Sequence, residues 1–557
     1  MRRRNSVHGV IALALGLACA LPANAQGASA PPAQVDAWGV GWISSSDGAV
    51  PATFWANTTA DTLGPIMSAI QPRELAPSGA ATLRRILMSR GKGPAGGTDL
   101  TAERIRLLEQ LGENQNAAEL RRRYSGASWG KPGERLSAEW DMLAGENEAS
   151  CSVAKGKPAT DADWMPLRAL CAALAKDAAG TDLITETIAR SNESLGVWLI
   201  GALGAITSPD IKKPDGRFGS ALEAAISVRA RLPVPANAFA GVPADIAAAV
   251  ALDKTATNDQ RRAAMRPAFN GGKIKAADVL AILALKDAEP PKPAARGASP
   301  KPDYLALALA ASADKDAKPE AKATAYVAAL RAAETLNDGR FIAAVLAPAI
   351  KALPKTDATL PYAEPLTRAA LLAGDEKLAV EWRKHLGTLA KDKQDAWANA
   401  RIDLMFALAG ASTEKLTPIL DRMIAAAPYP APNAAPATKA PTSGDQQLAV
   451  RRIENTRALF LAVGLHKELT ALQRATLAQQ RTAGRGVGDA AIARITAAAR
   501  QDADAEAALA IIGQLGPDVS AISFAGLSDL LSQLVTTGLA DDANAIALES
   551  LQVWKAL

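Results

Sequence analysis

The side chains of this 557-residue chain that could carry chemistry are few and widely separated. Of its three histidines, His8 stands near the start, which leaves His385 and His466. A serine nucleophile needs a histidine base and a sharp strand-to-helix turn that presents it; Gly126-Ala127-Ser128-Trp129-Gly130 has the G-x-S-x-G spacing but lies in a run that reads as helical, with no strand before it. Metal-assisted hydrolysis needs His, Asp or Glu ligands at helical or turn spacing, and neither H-E-x-x-H nor a similar cluster is present. His385, in Trp382-Arg383-Lys384-His385, and His466, in Leu465-His466-Lys467-Glu468, read as surface helix residues. The stretch Gly91-Lys92-Gly93-Pro94-Ala95-Gly96-Gly97 follows a helix and lacks the closing Lys-Ser or Lys-Thr of a phosphate loop, so it reads as a flexible inter-helix loop. The expectation is therefore no catalytic residue, no metal site and no cofactor.

Arg2, Arg3 and Arg4 precede an apolar run from Val10 to Leu21 and then Ala23-Asn24-Ala25, the pattern of a secretory signal peptide cut after Ala25. The run is shorter than the roughly 18 to 20 residues a membrane span requires, and no later segment of that length lacks charge. A periplasmic chain without a transmembrane segment is expected. Cleavage removes three arginines and no acid, turning 62 basic against 57 acidic residues into 59 against 57. So small an excess, with no basic stretch interleaved with aromatics, argues against nucleic acid or an anionic membrane surface as partner. Cys151 and Cys171 are then the remaining cysteines. In an oxidising compartment an even pair reads first as a disulfide, with buried free thiols second and metal or redox chemistry third.

The elements that must position these residues are helices. Hydrophobic residues make up 49% of the chain but aromatics only 4%, and alanine supplies much of the difference. Alanine has the highest helix propensity and lets helices approach closely. Thr58-Thr59-Ala60-Asp61 offers a capping box for a first helix ending near Ile70. Beyond it, apolar residues recur at three- and four-residue spacing, as in Leu83, Ile86 and Leu87, then Ile105, Leu108 and Leu111. Prolines interrupt the pattern at Glu289-Pro290-Pro291-Lys292-Pro293 through Pro302, and again from Pro428 to Gly444, because proline lacks the amide donor. The expected organisation is a signal peptide at 1–25, an irregular lead-in at 26–52, and helical blocks at 53–287, 304–427 and 446–557. Proline-rich linkers at 288–303 and 428–445 separate the blocks.

Within the first block a motif recurs. Leu111-Gly112-Glu113 is followed by Ala144-Gly145-Glu146 at 33 positions and Ala175-Lys176-Asp177 at 31 more, with looser echoes at Gly374, Gly464 and Gly538. A glycine closing one helix, an acid opening the next and a small residue where the two cross describe a helical hairpin. This resembles the tetratricopeptide repeat class, whose units of about 34 residues are paired antiparallel helices, although that class's tryptophan, tyrosine and proline positions are not consistently filled. Residues 100–190 in particular resemble exported alanine-rich helical-repeat proteins of Gram-negative bacteria. The resemblance implies an all-α fold, an α-solenoid of antiparallel hairpins, in which Cys151 and Cys171 fall on neighbouring helices across Lys157-Pro158.

Two functional readings follow. Stacked hairpins present an extended surface suited to peptides and protein segments, so a non-enzymatic periplasmic scaffold or binding protein with an envelope partner is expected. The alternative is peptidoglycan turnover. Glu193-Ser194 resembles the Glu-Ser pair that opens the catalytic motif of lytic transglycosylases, but the glycine-rich, glutamine-containing segment that follows in that family is missing. Glu193 reads instead as an acid at a helix start. Trp129, Trp140, Trp164 and Trp198 read as core anchors between alanine-rich helices. Trp38, Trp42 and Trp55 form a second cluster, for which exposure and docking onto the first helices both stay open.

Overall fold

The computed structural model describes residues 37–96, 100–123, 132–208, 210–285, 303–389, 394–430, 442–478 and 484–552. The expected signal peptide, Trp129 and most of both proline-rich linkers lie outside the described residues. Among the described residues the chain is all-helical, with twenty-six α-helices and no strand. The first eight are α1 (Ala60–Ala69), α2 (Pro77–Met88), α3 (Thr101–Gln110), α4 (Asn114–Arg123), α5 (Pro132–Leu143), α6 (Asn147–Lys155), α7 (Met165–Leu174) and α8 (Ala178–Ser191). The middle of the chain holds α9 (Glu193–Thr207), α10 (Ala221–Arg229), α11 (Ala244–Leu252), α12 (Asn258–Asn270), α13 (Ala276–Leu283), α14 (Tyr304–Ala313), α15 (Pro319–Arg331), α16 (Leu336–Ala352), α17 (Ala363–Leu372) and α18 (Glu376–Leu386). The last eight are α19 (Ala396–Leu408), α20 (Leu416–Ala426), α21 (Ser443–Gly464), α22 (Ala471–Ala478), α23 (Asp489–Arg500), α24 (Asp504–Leu515), α25 (Phe524–Thr536) and α26 (Ala540–Ser550).

Local chemistry sets where these helices begin and end. Thr59 starts α1 by accepting the amide of Thr62, and Asp177, Asn192, Thr335 and Asp375 do the same for α8, α9, α16 and α18. Each such cap satisfies an amide that has no partner inside its helix, a contribution of about 1 kcal/mol. The recurring glycine motif works at the other end. Gly112, Gly145, Gly374 and Gly538 all have left-handed backbone, and Lys176 adopts it too, at φ 62°, where the motif has lysine. Gly464 ends its helix as the motif expects but is not itself left-handed. It is the last residue of α21, and the left-handed residue is His466. A Cβ on Gly464 would stand 2.6 Å from the carbonyl oxygen of Ser528, so this glycine lets α21 and α25 touch.

Chain neighbours pack on one another through much of the chain, as in α7 on α8, α8 on α9, α11 on α12 and α17 on α18. Others skip along the sequence, with α5 against α10 and α21 against α25. The cores show a longer connection. One runs from Ala138 to Phe406. A second joins the first helices, Ala37 to Leu120, to the last, Trp397 to Leu551, and a small third holds Ala498, Ala499, Ala503 and Ala507. α1 and α2 rest on α24, and α2 also on α26. Backbone bonds seal this contact, from the Ala76 amide to Gly516 O at 2.6 Å and from the Ala505 amide to Phe54 O at 3.2 Å.

The described part of the lead-in, residues 37–52, is irregular, with a single 3-10 turn at Ser45–Asp47, and it is fastened by one cation. Arg104 on α3 is wholly buried. Its guanidinium donates to Ala37 O, Val40 O, Leu87 O and Ser89 O at 2.6 to 3.3 Å. It also lies over the rings of Trp38 and Trp42. The glycine-rich segment after α2 belongs to the same assembly. Its Gly91 amide donates to Trp38 O, and the Ala95 amide to Thr58 O. A Cβ on Gly91 would meet Trp55 at 2.9 Å, and one on Gly93 would meet Trp38 at 2.6 Å. The expected flexible loop is thus a pinned lid over the Trp38–Trp55 pair, because only glycine leaves room for two indoles beneath it.

Cys151, in α6, and Cys171, in α7, stand at disulfide distance with Cα atoms 5.7 Å apart. Two outcomes are expected. Arg104→Ala strands several buried carbonyl groups and should cost on the order of 3 kcal/mol, with Arg104→Lys recovering only part, because an ammonium lacks the planar fork; denaturant melts measure both. Closing a loop of about 20 residues should stabilise the fold by about 3 kcal/mol. Unreduced digests should therefore contain the Cys151–Cys171 pair, and the reduced chain should melt at lower temperature.

Candidate ligand cavity

Where the ends of the chain meet its middle, the helices do not close completely. α2, the ends of α12 and α17, the start of α16 and one face of α26 enclose a cavity of about 600 Å³. Its apolar wall comes from side chains that stay half-buried, among them Leu75, Phe269, Leu336, Leu371, Leu372 and Leu548. Its polar wall holds Thr82, Arg84, Asn270, Asn337, Arg340, Asp542 and Glu549.

The charges on and beside this wall sit in distinct settings. Glu113, in the turn between α3 and α4, is almost wholly buried. Arg84 Nε lies 3.0 Å from its Oε1 and Lys273 Nζ 2.6 Å from its Oε2, so the acid of the Gly112-Glu113 motif is the hub of a salt-bridge network. Close by, Asp245 at the start of α11 accepts the amides of Asn114 and Gln115, so it caps α4 from another part of the chain. Gly112 makes that approach possible, since a Cβ there would stand 2.7 Å from the Ala244 nitrogen. Burial pushes the Asp245 carboxyl up, while Asn114 and Lys273 hold it back. Asp542 is paired with Arg85.

Glu549 of α26 is buried, and its Oε2 accepts the Ser78 amide in the first turn of α2 at 2.8 Å. Burial raises its pKa above the ordinary carboxylate range, and the Ser78 hydroxyl and amide and the charge of Arg340 pull the other way. Arg340, in the second turn of α16, is exposed and makes no hydrogen bond or ion pair among the described residues. The wall therefore offers one cation engaged only through its charge, with Glu549, two amide side chains and a half-buried apolar surface. No histidine lines it. Among the described residues there is no group of three His, Cys, Asp or Glu that could hold a metal ion, and no helix is long and apolar enough to cross a membrane.

The residues singled out in the sequence lie elsewhere. His385 is buried on α18 against Trp382, a correction to its reading as a surface residue, because it occupies the same helical stripe as Leu378 and Trp382. His466 is exposed and lies just beyond α21, with Nε2 2.7 Å from Ser532 Oγ. Glu193 begins α9 after the Asn192 cap and lines an open depression beside Trp198 and Arg217. Trp198 and Trp164 are buried, as are Trp38 and Trp55, and Trp140 is half-buried. Trp42 is also half-buried and donates Nε1 to Glu119. No sequence motif marks Arg340 or Glu549, since each gains its setting only from helices far away in the chain. Compared with known protein families, curated proteins and solved structures, the chain has no match.

Because burial disfavours the charged form, the folded chain holds a proton on Glu549 more tightly than the unfolded chain does. Stability therefore falls as pH rises from the ordinary glutamate range through the raised folded value, and then levels off. Glu549→Gln keeps an acceptor for Ser78 and removes this loss. Its melting temperature relative to wild type should be higher at about pH 8 than at about pH 4.

Proposed function

We propose that this protein is a non-enzymatic helical-repeat binding protein of the bacterial envelope, which holds a protein or peptide segment in the periplasm. The observation that carries the reading is the cavity of about 600 Å³, within the roughly 300 to 1,000 Å³ typical of ligand sites. It combines a broad apolar wall with a few polar groups, the mixture that binding sites use to gain affinity and orientation together. The packing of successive helices on one another and the left-handed turns at Gly112, Gly145 and Lys176 support a stack of TPR-like hairpins. The arginine-led apolar run ending at Ala23-Asn24-Ala25 supports export.

Fractionation should find the chain in the periplasm without residues 1–25. Native mass spectrometry of the chain purified from that fraction should find peptide bound, and lost in Ala545→Trp, which fills the cavity from an exposed position on α26. An empty wild-type chain would count against the proposal. Release of soluble fragments from murein sacculi, abolished by Glu193→Gln, would replace it with peptidoglycan turnover.

A further inference from the structure

Building on the reading of the cavity as a peptide site, we infer that it recognises the free C-terminal carboxylate of a peptide, gripped by Arg340, with the last side chain against the half-buried leucines. The argument begins with the charges. Arg84 is committed to Glu113, Asp542 to Arg85, and Glu549 to the Ser78 amide. Arg340 alone among the charged wall residues carries no hydrogen bond or ion pair among the described residues, and it is exposed. A planar guanidinium is the side chain best matched to a carboxylate, since it donates two parallel hydrogen bonds. Asn337, one turn earlier on α16, adds an amide donor on the same wall. The positive end of that 17-residue helix strengthens the local preference for an anion.

The rest of the wall selects what the carboxylate belongs to. Leu336, Leu371, Leu372 and Leu548 surround the same space and are only half-buried, so an apolar side chain entering there removes both its own surface and theirs from water. Helix segments from five parts of the chain wall the cavity. Such a space admits a chain end more readily than a segment that has to enter and leave. A peptide end supplies the apolar residue and the carboxylate at adjacent positions.

The test uses the full chain and an N-acetylated tetrapeptide library, made once with free C-terminal carboxylates and once as amides. Each is equilibrated with the protein by dialysis, and the retained peptides are read by mass spectrometry. Wild type should retain the acids over the amides by about ten-fold or more, the order expected of a charge-assisted pair. The retained acids should end in apolar residues. Arg340→Gln, with its melting temperature unchanged, should abolish the preference, and Arg340→Lys should restore part of it. Equal retention of acids and amides, lost in Ala545→Trp, overturns the carboxylate inference and leaves the peptide cavity standing. Retention of neither library overturns both. Displacement of the acids by an equal concentration of free leucine assigns the site to an amino acid and also overturns the inference.

Discussion

The carboxylate of Glu549 accepts the amide of Ser78 from 471 residues further along the chain, and the rest of the arrangement hangs on that contact. The first turn of α2 has amides that its own helix cannot satisfy, and α26 supplies the acceptor. α26 is in turn fixed at the same end, where Arg457 and Arg401 donate to the carbonyl oxygens of Ser550 and Leu551. Burial lowers Arg401 to about 10, still far above neutrality, so it remains a cation at the negative end of a helix. With α26 held in this way, α2 has one seat. Gly79 lets it press against Leu515, since a Cβ there would stand 2.9 Å from that side chain.

From α2 the constraint passes to the middle of the chain through charge. Arg84 of α2 and Lys273, after α12, share the two oxygens of Glu113. Asp245 of α11 caps α4 in the same neighbourhood. A buried carboxylate is tolerable only if its oxygens are paired and hydrogen-bonded, and Glu113 meets that condition with partners from both sides. The cavity is the remainder of this arrangement. Five helix segments border a space that their side chains do not fill.

An alanine-rich chain with few aromatics makes such remainders possible. Small side chains bring helix backbones together but fill little volume, so large side chains are used where voids would be costly. Trp38 and Trp55 pack edge to face with ring centroids 4.5 Å apart under the glycine-rich lid. Trp164 and Trp382 fill corresponding places in the other large core. The wall of the cavity has no such plug. Phe269, its one aromatic, packs against Phe341 with centroids 5.4 Å apart.

Short-range features were legible in the sequence itself. Helicity followed from composition and period, the start of α1 from Thr59, the ends of α3 and α5 from Gly112 and Gly145, and the closeness of Cys151 and Cys171 from their places on neighbouring helices. Each depends on a few adjacent residues, whose hydrogen bonds and φ angles are settled locally. The places where the reading missed have a different character. His385 looked exposed beside Arg383 and Lys384, yet its helix turns it inward beside Trp382. Gly464 ends α21 as its motif has it, but the close approach to Ser528 that it also serves left no mark in the sequence. The segment at Gly91 looked mobile, yet two tryptophans hold it. In each case the deciding partner lies on another element. The cavity, with Arg340 on one helix and Glu549 on another, belongs entirely to this second kind. Its walls combine residues more than 400 positions apart, and no local pattern records which helices will face each other across an unfilled space.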